Sequence, residues 1–252
     1  MVKAKQIAVC IDSSLFLAEV FGNETQSSRS GSIDKLEKIF TFKKYMSETV
    51  KEEVENRLSN VACLIGDASK NFISDFRAFK GLNPNITLTD LSFIQSFFAN
   101  LKKLYPVNKS ERQIIEYIES VLAHYLIENS HQNKPQSVSD FVILAMVEFN
   151  KILTALQFDF FTKLGGYQML PQTVNPDTCQ KLQNEPKLKK TVQSKPKDIE
   201  ILCEVEAFQQ SSGKKCLLAT LDHKDFLSNS LLIDSLIHIK CIDPIYLAPE
   251  LS

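Results

Sequence analysis

Residues 6–11, QIAVCI, form a short apolar run rich in β-formers. A strand buried on both faces has this pattern. Asp12, Ser13 and Ser14 follow directly, and an apolar helical stretch runs from Leu15 to Phe21. The succession strand, acid, hydroxyl pair, helix predicts a βα unit with an acid at the carboxyl end of its strand. A polar loop covers Gly22–Ser32, followed by a helical segment and a second strand over Phe40–Met46. Ser47 is placed to cap a helix over Glu48–Leu58, whose first turn carries acids that suit the helix dipole.

From Val61 to Leu164 the apolar period is that of helices, with hydrophobic residues at three and four spacing over Asp67–Phe79, Thr87–Tyr105, Ser110–Asn129 and Ser137–Leu164. Thr87 or Thr89, Ser110, and Ser137 or Ser139 mark starts, while Asn83-Pro84 and Lys134-Pro135 break the pattern. No internal repeat recurs at a fixed period. Residues 165–196 read as a flexible basic linker, with Gly165, Gly166 and several prolines beside Lys187, Lys189, Lys190, Lys195 and Lys197. Such a charge run is usually a solvated loop, and its sharper reading is an arm that contacts phosphates.

The end of the chain returns to α/β character. An amphipathic helix over Lys197–Gln210 is closed by Gly213, a strand covers Cys216–Leu221, Asp222 follows it, and a helix over Phe226–Ser235 leads to a last strand over Ile237–Ile242. Sequential βα units imply a parallel sheet with right-handed crossovers. The expected organisation is one α/β domain built from about residues 1–60 and 195–252, with an all-helical insertion over about 61–164.

Composition adds little to this picture. The 252 residues are 44% hydrophobic and 23% charged, as in an ordinary globular protein, and are enough to bury a large core. A net charge of −1, from 29 basic and 30 acidic residues, lacks the basic excess of many nucleic-acid binders. The six cysteines form no CxxC pair, and the four histidines have no zinc-like spacing. Cys10, Cys216 and Cys241 lie in apolar runs and read as small buried hydrophobes, and scattered free thiols fit a reducing cytoplasm. The N-terminus has no signal-peptide core, and no apolar run approaches the ~20 residues that span a bilayer, so a soluble protein is expected.

Two strands end in an acid, Asp12 after AVCI and Asp222 after LLATL. Ligands of open parallel sheets bind beyond the carboxyl ends of the strands, and carboxylates there suit a hard cation. A single Asp at such a place is also a favoured helix N-cap, a reading that weakens when two strands share the feature. Glu53 lies one turn into the helix after the second strand, on the face of Val50, whereas Glu52 points outward; Glu48 and Glu55 are its other competitors. Asp198 opens the helix before the Cys216 strand. No glycine-rich phosphate loop, dinucleotide fingerprint or Ser-His-Asp order competes, and His223 reads as a helix-start residue.

These segments carry a resemblance. VCIDSSLFL resembles the first motif of PIN-domain nucleases, MSETVKEEVENRL their second, and KDIEILCEVEAF with CLLATLDHKDF their paired third and fourth, with Thr220 and Asp222 as the T-x-D signature. It covers about residues 1–60 and 195–248, and the segment VSDFVILAMVEF with Asp140 also looks like the third motif, so Asp140 competes with Asp198. The resemblance implies a three-layer α/β/α sandwich, one or two Mg²⁺ or Mn²⁺ ions, and an endoribonuclease selective for single strands. It implies Asp12 and Asp222 as direct ligands, Glu53 and Asp198 as ligands or water-positioners, Asp225 as an additional acid, and Ser13 and Thr220 as supporting or phosphate-contacting hydroxyls. Homodimers are frequent in that family. The long helical insertion departs from its compact members and keeps two alternatives open, a binding or scaffold module whose partner is a protein held by the insertion, and a structure-specific DNA nuclease.

Overall fold

A computed structural model describes residues 7–25, 43–104, 109–131, 136–171, 174–188 and 196–244. The chain divides into two compact units, residues 1–56 with 161–252, and residues 57–160.

The first unit is built on a five-stranded, wholly parallel sheet. Its strands are β1 (Ile7–Ile11), β2 (Lys44–Met46), β5 (Gln168–Met169), β6 (Lys215–Ala219) and β7 (Lys240–Ile242), in the order β5-β2-β1-β6-β7. Strand β1 is central, and Ala8, Val9, Cys10 and Ile11 are fully buried, as an apolar run without alternation requires. It pairs with β6 over its whole length, from Ile7 opposite Lys215 to Ile11 opposite Ala219. Helices α1 (Ser13–Thr25), α6 (Pro176–Asn184), α7 (Pro196–Ser212) and α8 (Ser230–Ile237) belong to this unit. Helix α7 starts on Pro196, whose missing N–H costs nothing in a first turn, and ends at Gly213 in the left-handed conformation, φ +64°. From Ile201 to Phe208 every residue of α7 is buried.

Several elements differ from the sequence expectation. Helices anticipated over 48–58 and 67–79 are one helix, α2 (Glu48–Lys80). Val50, Val54, Leu58, Val61, Ile65, Ala68, Phe72 and Phe76 are buried at steps of three or four, so the apolar stripe never breaks. Gly66 costs a helix only about 1 kcal/mol, too little to end it. The stretch expected as a linker carries the edge strand β5 and the helix α6, which Asn175 caps by accepting the N–H of Asp177 at 3.0 Å. Lys189, Lys190 and Lys195 of the basic cluster lie outside the described residues, as do positions 40–42 of the expected second strand.

The second unit is helical, as the period predicted, with α3 (Leu91–Leu104), α4 (Lys109–His131) and most of α2 and α5 (Val138–Leu164). A two-residue antiparallel pair, β3 (Asn85–Ile86) with β4 (Gln136–Ser137), was not anticipated. Its core is phenylalanine-rich. The Phe72 ring lies 5.2–6.3 Å from those of Phe76, Phe93, Phe97, Phe98, Phe141 and Phe149. Beside this core, Lys80 and Asp90 form a buried ion pair at 2.7 Å. Helix α5 is long and apolar enough to cross a bilayer by length and composition, which corrects the expectation that no segment approaches that size. One face of it, including Phe141, Ala145, Phe149 and Leu156, is buried in this unit.

The cysteine reading also needs correction. Cys179 of α6 and Cys203 of α7 are joined as a disulfide, with Cα atoms 5.6 Å apart. Cys10, Cys216 and Cys241 are free and buried, and Cys63 is free and exposed.

Candidate metal centre

Strand order reverses at β1, which has β2 on one side and β6 on the other. Sheets of this kind open a crevice for ligands outside the carboxyl ends of the two strands that flank such a point. The ladder continues one residue past each strand there. Asp12 donates its N–H to Ala219 O at 2.9 Å, and Thr220 donates its own to Ile242 O at 3.0 Å. Backbone pairing therefore fixes where the side chains of Asp12 and Thr220 begin.

Asp12 is 3% exposed, and its Oδ2 accepts from the Ser14 hydroxyl at 2.6 Å, the Thr220 hydroxyl at 2.9 Å and the Ser14 N–H at 3.3 Å. Burial pushes its carboxyl pKa up; hydrogen bonds from Ser14, Thr220 and the Ser13 backbone pull the other way without cancelling the rise. Both hydroxyls work twice. Thr220 Oγ1 also accepts the N–H of Asp222 at 2.9 Å, and Ser14 Oγ accepts the N–H of Leu221 at 3.0 Å. The hydroxyl that holds Asp12 is thus that of Ser14, while Ser13 acts on Asp12 through its backbone N–H. The choice depends on how the turn into α1 winds, which residue type alone does not fix.

Asp222 caps the short π-helical turn His223–Leu227, its Oδ1 accepting from the N–H groups of Lys224 and Asp225 at 2.9 Å each. The helix-cap reading of Asp222 thus holds. In addition, Asp198, Asp222 and Asp225 each offer a carboxylate oxygen, all within 4.8 Å of one another. Asp198 comes from the first turn of α7, and Asp225 is buried. Clustered carboxylate oxygens are hard donors, so the group could hold a divalent cation, though its spacing does not select one. Three carboxylates this close repel one another unless a cation or proton lies among them.

Asp140 has a different role. It lies in the second unit, exposed, in a reciprocal cap with Ser137, whose hydroxyl donates to Asp140 Oδ2 at 2.7 Å and accepts its N–H at 3.0 Å. Asp198 is thus the acid that joins Asp222. Among the described residues, Asp12 and Glu53 do not enter the three-carboxylate group. Asp12 is connected to it through Thr220. Glu53 is half-buried on α2, while Glu52 and Glu55 are exposed and Glu48 pairs with Lys51 at 3.0 Å. One turn before Glu53, the Thr49 hydroxyl donates to Glu204 of α7 at 2.9 Å, so this face of α2 turns towards α7.

Asp243 escaped the sequence reading. It follows β7 as Asp12 follows β1, and its Oδ2 lies 3.0 Å from His223 Nε2. The run CID at 241–243 repeats the CID at 10–12, a signal that was present in the sequence. Acids therefore follow β1, β6 and β7 at the same edge. Compared with models of protein families, with curated proteins and with solved structures, the chain matches none.

Proposed function

We propose that this protein is a PIN-like, divalent-metal-dependent nuclease that hydrolyses phosphodiester bonds of single-stranded RNA. The observation that carries this reading is the convergence of Asp198, Asp222 and Asp225 within 4.8 Å at the acidic edge of a parallel sheet, beside buried Asp12. Together with the four motif-like segments, this favours a three-layer PIN-like sandwich for the first unit. Asp198, Asp222 and Asp225 would hold the ion directly. Bound there, Mg²⁺ or Mn²⁺ would lower the pKa of a coordinated water and offset charge on the phosphate.

The protein's own part is positioning. Thr220 and Ser14 hold Asp12 by its Oδ2, and Thr220 also holds the backbone that presents Asp222. The cap made by Asp222 Oδ1 ties the cluster to the turn that carries Asp225. Asp12 adds a buried carboxyl behind the cluster, and Glu53 stands on α2 as a candidate water-positioner.

The test is cleavage of labelled single-stranded RNA and single-stranded DNA with Mn²⁺ and with chelator, for the protein and its Asp198→Asn and Asp222→Asn variants. We expect RNA cleavage that chelator abolishes and that each variant lowers at least a hundredfold, as loss of a group that stabilises developing charge does. Cleavage that survives chelator, or full activity in both variants, would overturn the reading. Cleavage confined to DNA would replace the substrate class.

A second reading, a scaffold acting through the helical unit, is favoured by Ile143, Met146, Val147 and Phe158 of α5. These are 43–69% exposed, an unusual run of large apolar residues for a water-facing helix. A protein inert towards both substrates but stably bound to a protein partner, with the binding lost on Val147→Glu and Phe158→Glu, would favour it.

A further inference from the structure

The edge of the sheet opposite the acids has the reverse character. Strands β2, β6 and β7 open on Lys44, Lys215 and Lys240. Where α7 and α8 end and β6 and β7 begin, a cavity of about 470 Å³ is lined by Gln209, Gln210, Gly213, Lys214, Lys215 and His238. No carboxylate is among these residues. We propose that this cavity binds a phosphomonoester the size of a nucleotide, with its phosphate held by Lys214, Lys215 and His238.

The wall is fixed in place. Gln209 Oε1 accepts the N–H of Cys216 at 2.8 Å, and its Nε2 donates to the carbonyls of Ile237 and His238 at 3.3 Å each. One amide thus ties the end of α7 to the start of β6 and the end of α8. Lys214 Nζ donates to the Tyr45 hydroxyl at 3.0 Å and lies over the rings of Tyr45 and Phe208, at 5.3 and 5.9 Å from their centroids. Held there, it keeps further N–H donors for an anion. Gln210 Nε2 donates to Glu206 Oε1 at 3.0 Å, which places its amide between that buried carboxylate and the cavity.

Lys214 and Lys215 offset the two helix C-termini, about half a negative charge each, and the Glu206 carboxylate behind Gln210, so an anion would be held by the N–H donors of the lining and not by a net positive charge. A cap on those helix ends would need only one cation apiece, and Lys181 already donates to Leu236 O at 2.8 Å at the end of α8. His238 points the same way. It closes α8 in the left-handed conformation, φ 58°, where glycine is the usual residue, as it is at Gly213 across the cavity. Histidine is one of the residues that adopt this conformation more readily than most, and here its imidazole lines the cavity. The volume lies in the range of small-ligand clefts, roughly 300–1,000 Å³, and Gln209, Gln210, Lys214, Lys215 and His238 supply side-chain groups able to donate hydrogen bonds to a phosphate.

The test is titration of the full chain with inorganic phosphate, with adenosine 5′-monophosphate and with adenosine at constant ionic strength, following backbone amide resonances. We expect saturable shifts at Gly213, Lys214, Lys215 and His238 with both phosphates and none with adenosine. Lys215→Ala and His238→Gly should each weaken binding about tenfold or more, and Asp222→Asn should leave it unchanged. His238→Gly relaxes the backbone while deleting the ring, so an unfolding transition held or raised in that variant shows that lost binding is local. Tighter binding of the nucleotide than of phosphate identifies a nucleotide ligand, and equal binding a simple phosphate group. Absence of saturable shifts at the cavity, equal shifts with adenosine, or wild-type affinity in both variants overturns the proposal.

Discussion

The hydroxyl of Thr220 donates to Asp12 Oδ2 at 2.9 Å across 208 positions of sequence, and the same oxygen accepts the N–H of Asp222. One buried atom therefore sets the relation between two acids from opposite ends of the chain. Thr220→Val keeps the shape and removes both bonds, leaving Asp12 short of a donor and the N–H of Asp222 without its acceptor. We expect a loss of about 2–3 kcal/mol in urea denaturation. Thr220→Ser should recover most of it. Equal stability of Thr220→Val and the parent would show that these bonds do not hold the site.

Asp12 gives a pH dependence with a definite sign. Its folded-state pKa is raised, chiefly by burial, so the folded protein holds this proton more tightly than the unfolded chain. Its contribution is therefore most favourable below the unfolded carboxylate pKa. It falls as pH rises through the window up to the raised folded value, and stays low at neutral pH. Asp12→Asn should raise the melting temperature at pH 7 in metal-free buffer and lose that advantage towards pH 4. A difference between variant and parent that does not change with pH would refute the raised pKa.

The bond between Cys179 and Cys203 closes a loop of sequence separation 24. Chain-entropy reasoning gives such a cross-link about 3 kcal/mol. Cys179→Ala and the parent in excess dithiothreitol should unfold at the same denaturant concentration, well below the untreated parent. If reductant leaves the parent's midpoint where it was, the two sulfurs are not joined in solution.

At Gly213 the backbone has φ +64°, and an added Cβ would meet nothing within 4 Å. The cost of Gly213→Ala is thus conformational and not steric, and should be about 1 kcal/mol. A neutral substitution would mean that α7 can end in another way.

How much of this was legible in the sequence follows from how local each feature is. Asp12 and Asp222 stand next to their strands, and one βα junction suffices to place them. Lys197–Gln210 and Gly213 were legible for the same reason, since helix period and cap lie within one segment. The continuity of α2 was obscured by polar Ser59 and Asn60 and by Gly66-Asp67, while the buried stripe through Val61 and Ile65 decides it. Asp243 was equally local, directly after the strand read over Ile237–Ile242, and its signal was the CID that repeats residues 10–12. That Asp198 joins Asp222 while Asp140 caps its own helix is set by tertiary packing, as is the pairing of Cys179 with Cys203.

The register of β1 against β6 also orders events during synthesis. Ile7 waits for Lys215 and Ile11 for Ala219, so the central ladder of the sheet cannot close until residues 215–219 have left the ribosome. The helical unit over 57–160 has by then emerged complete. Local helical contacts form fast and distant strand pairings slowly. We therefore expect the unit over 57–160 to fold first, with β1 carrying an open, apolar edge until β6 emerges. A chain stalled before residue 215 would hold Asp12 but none of the three clustered acids beyond Asp198.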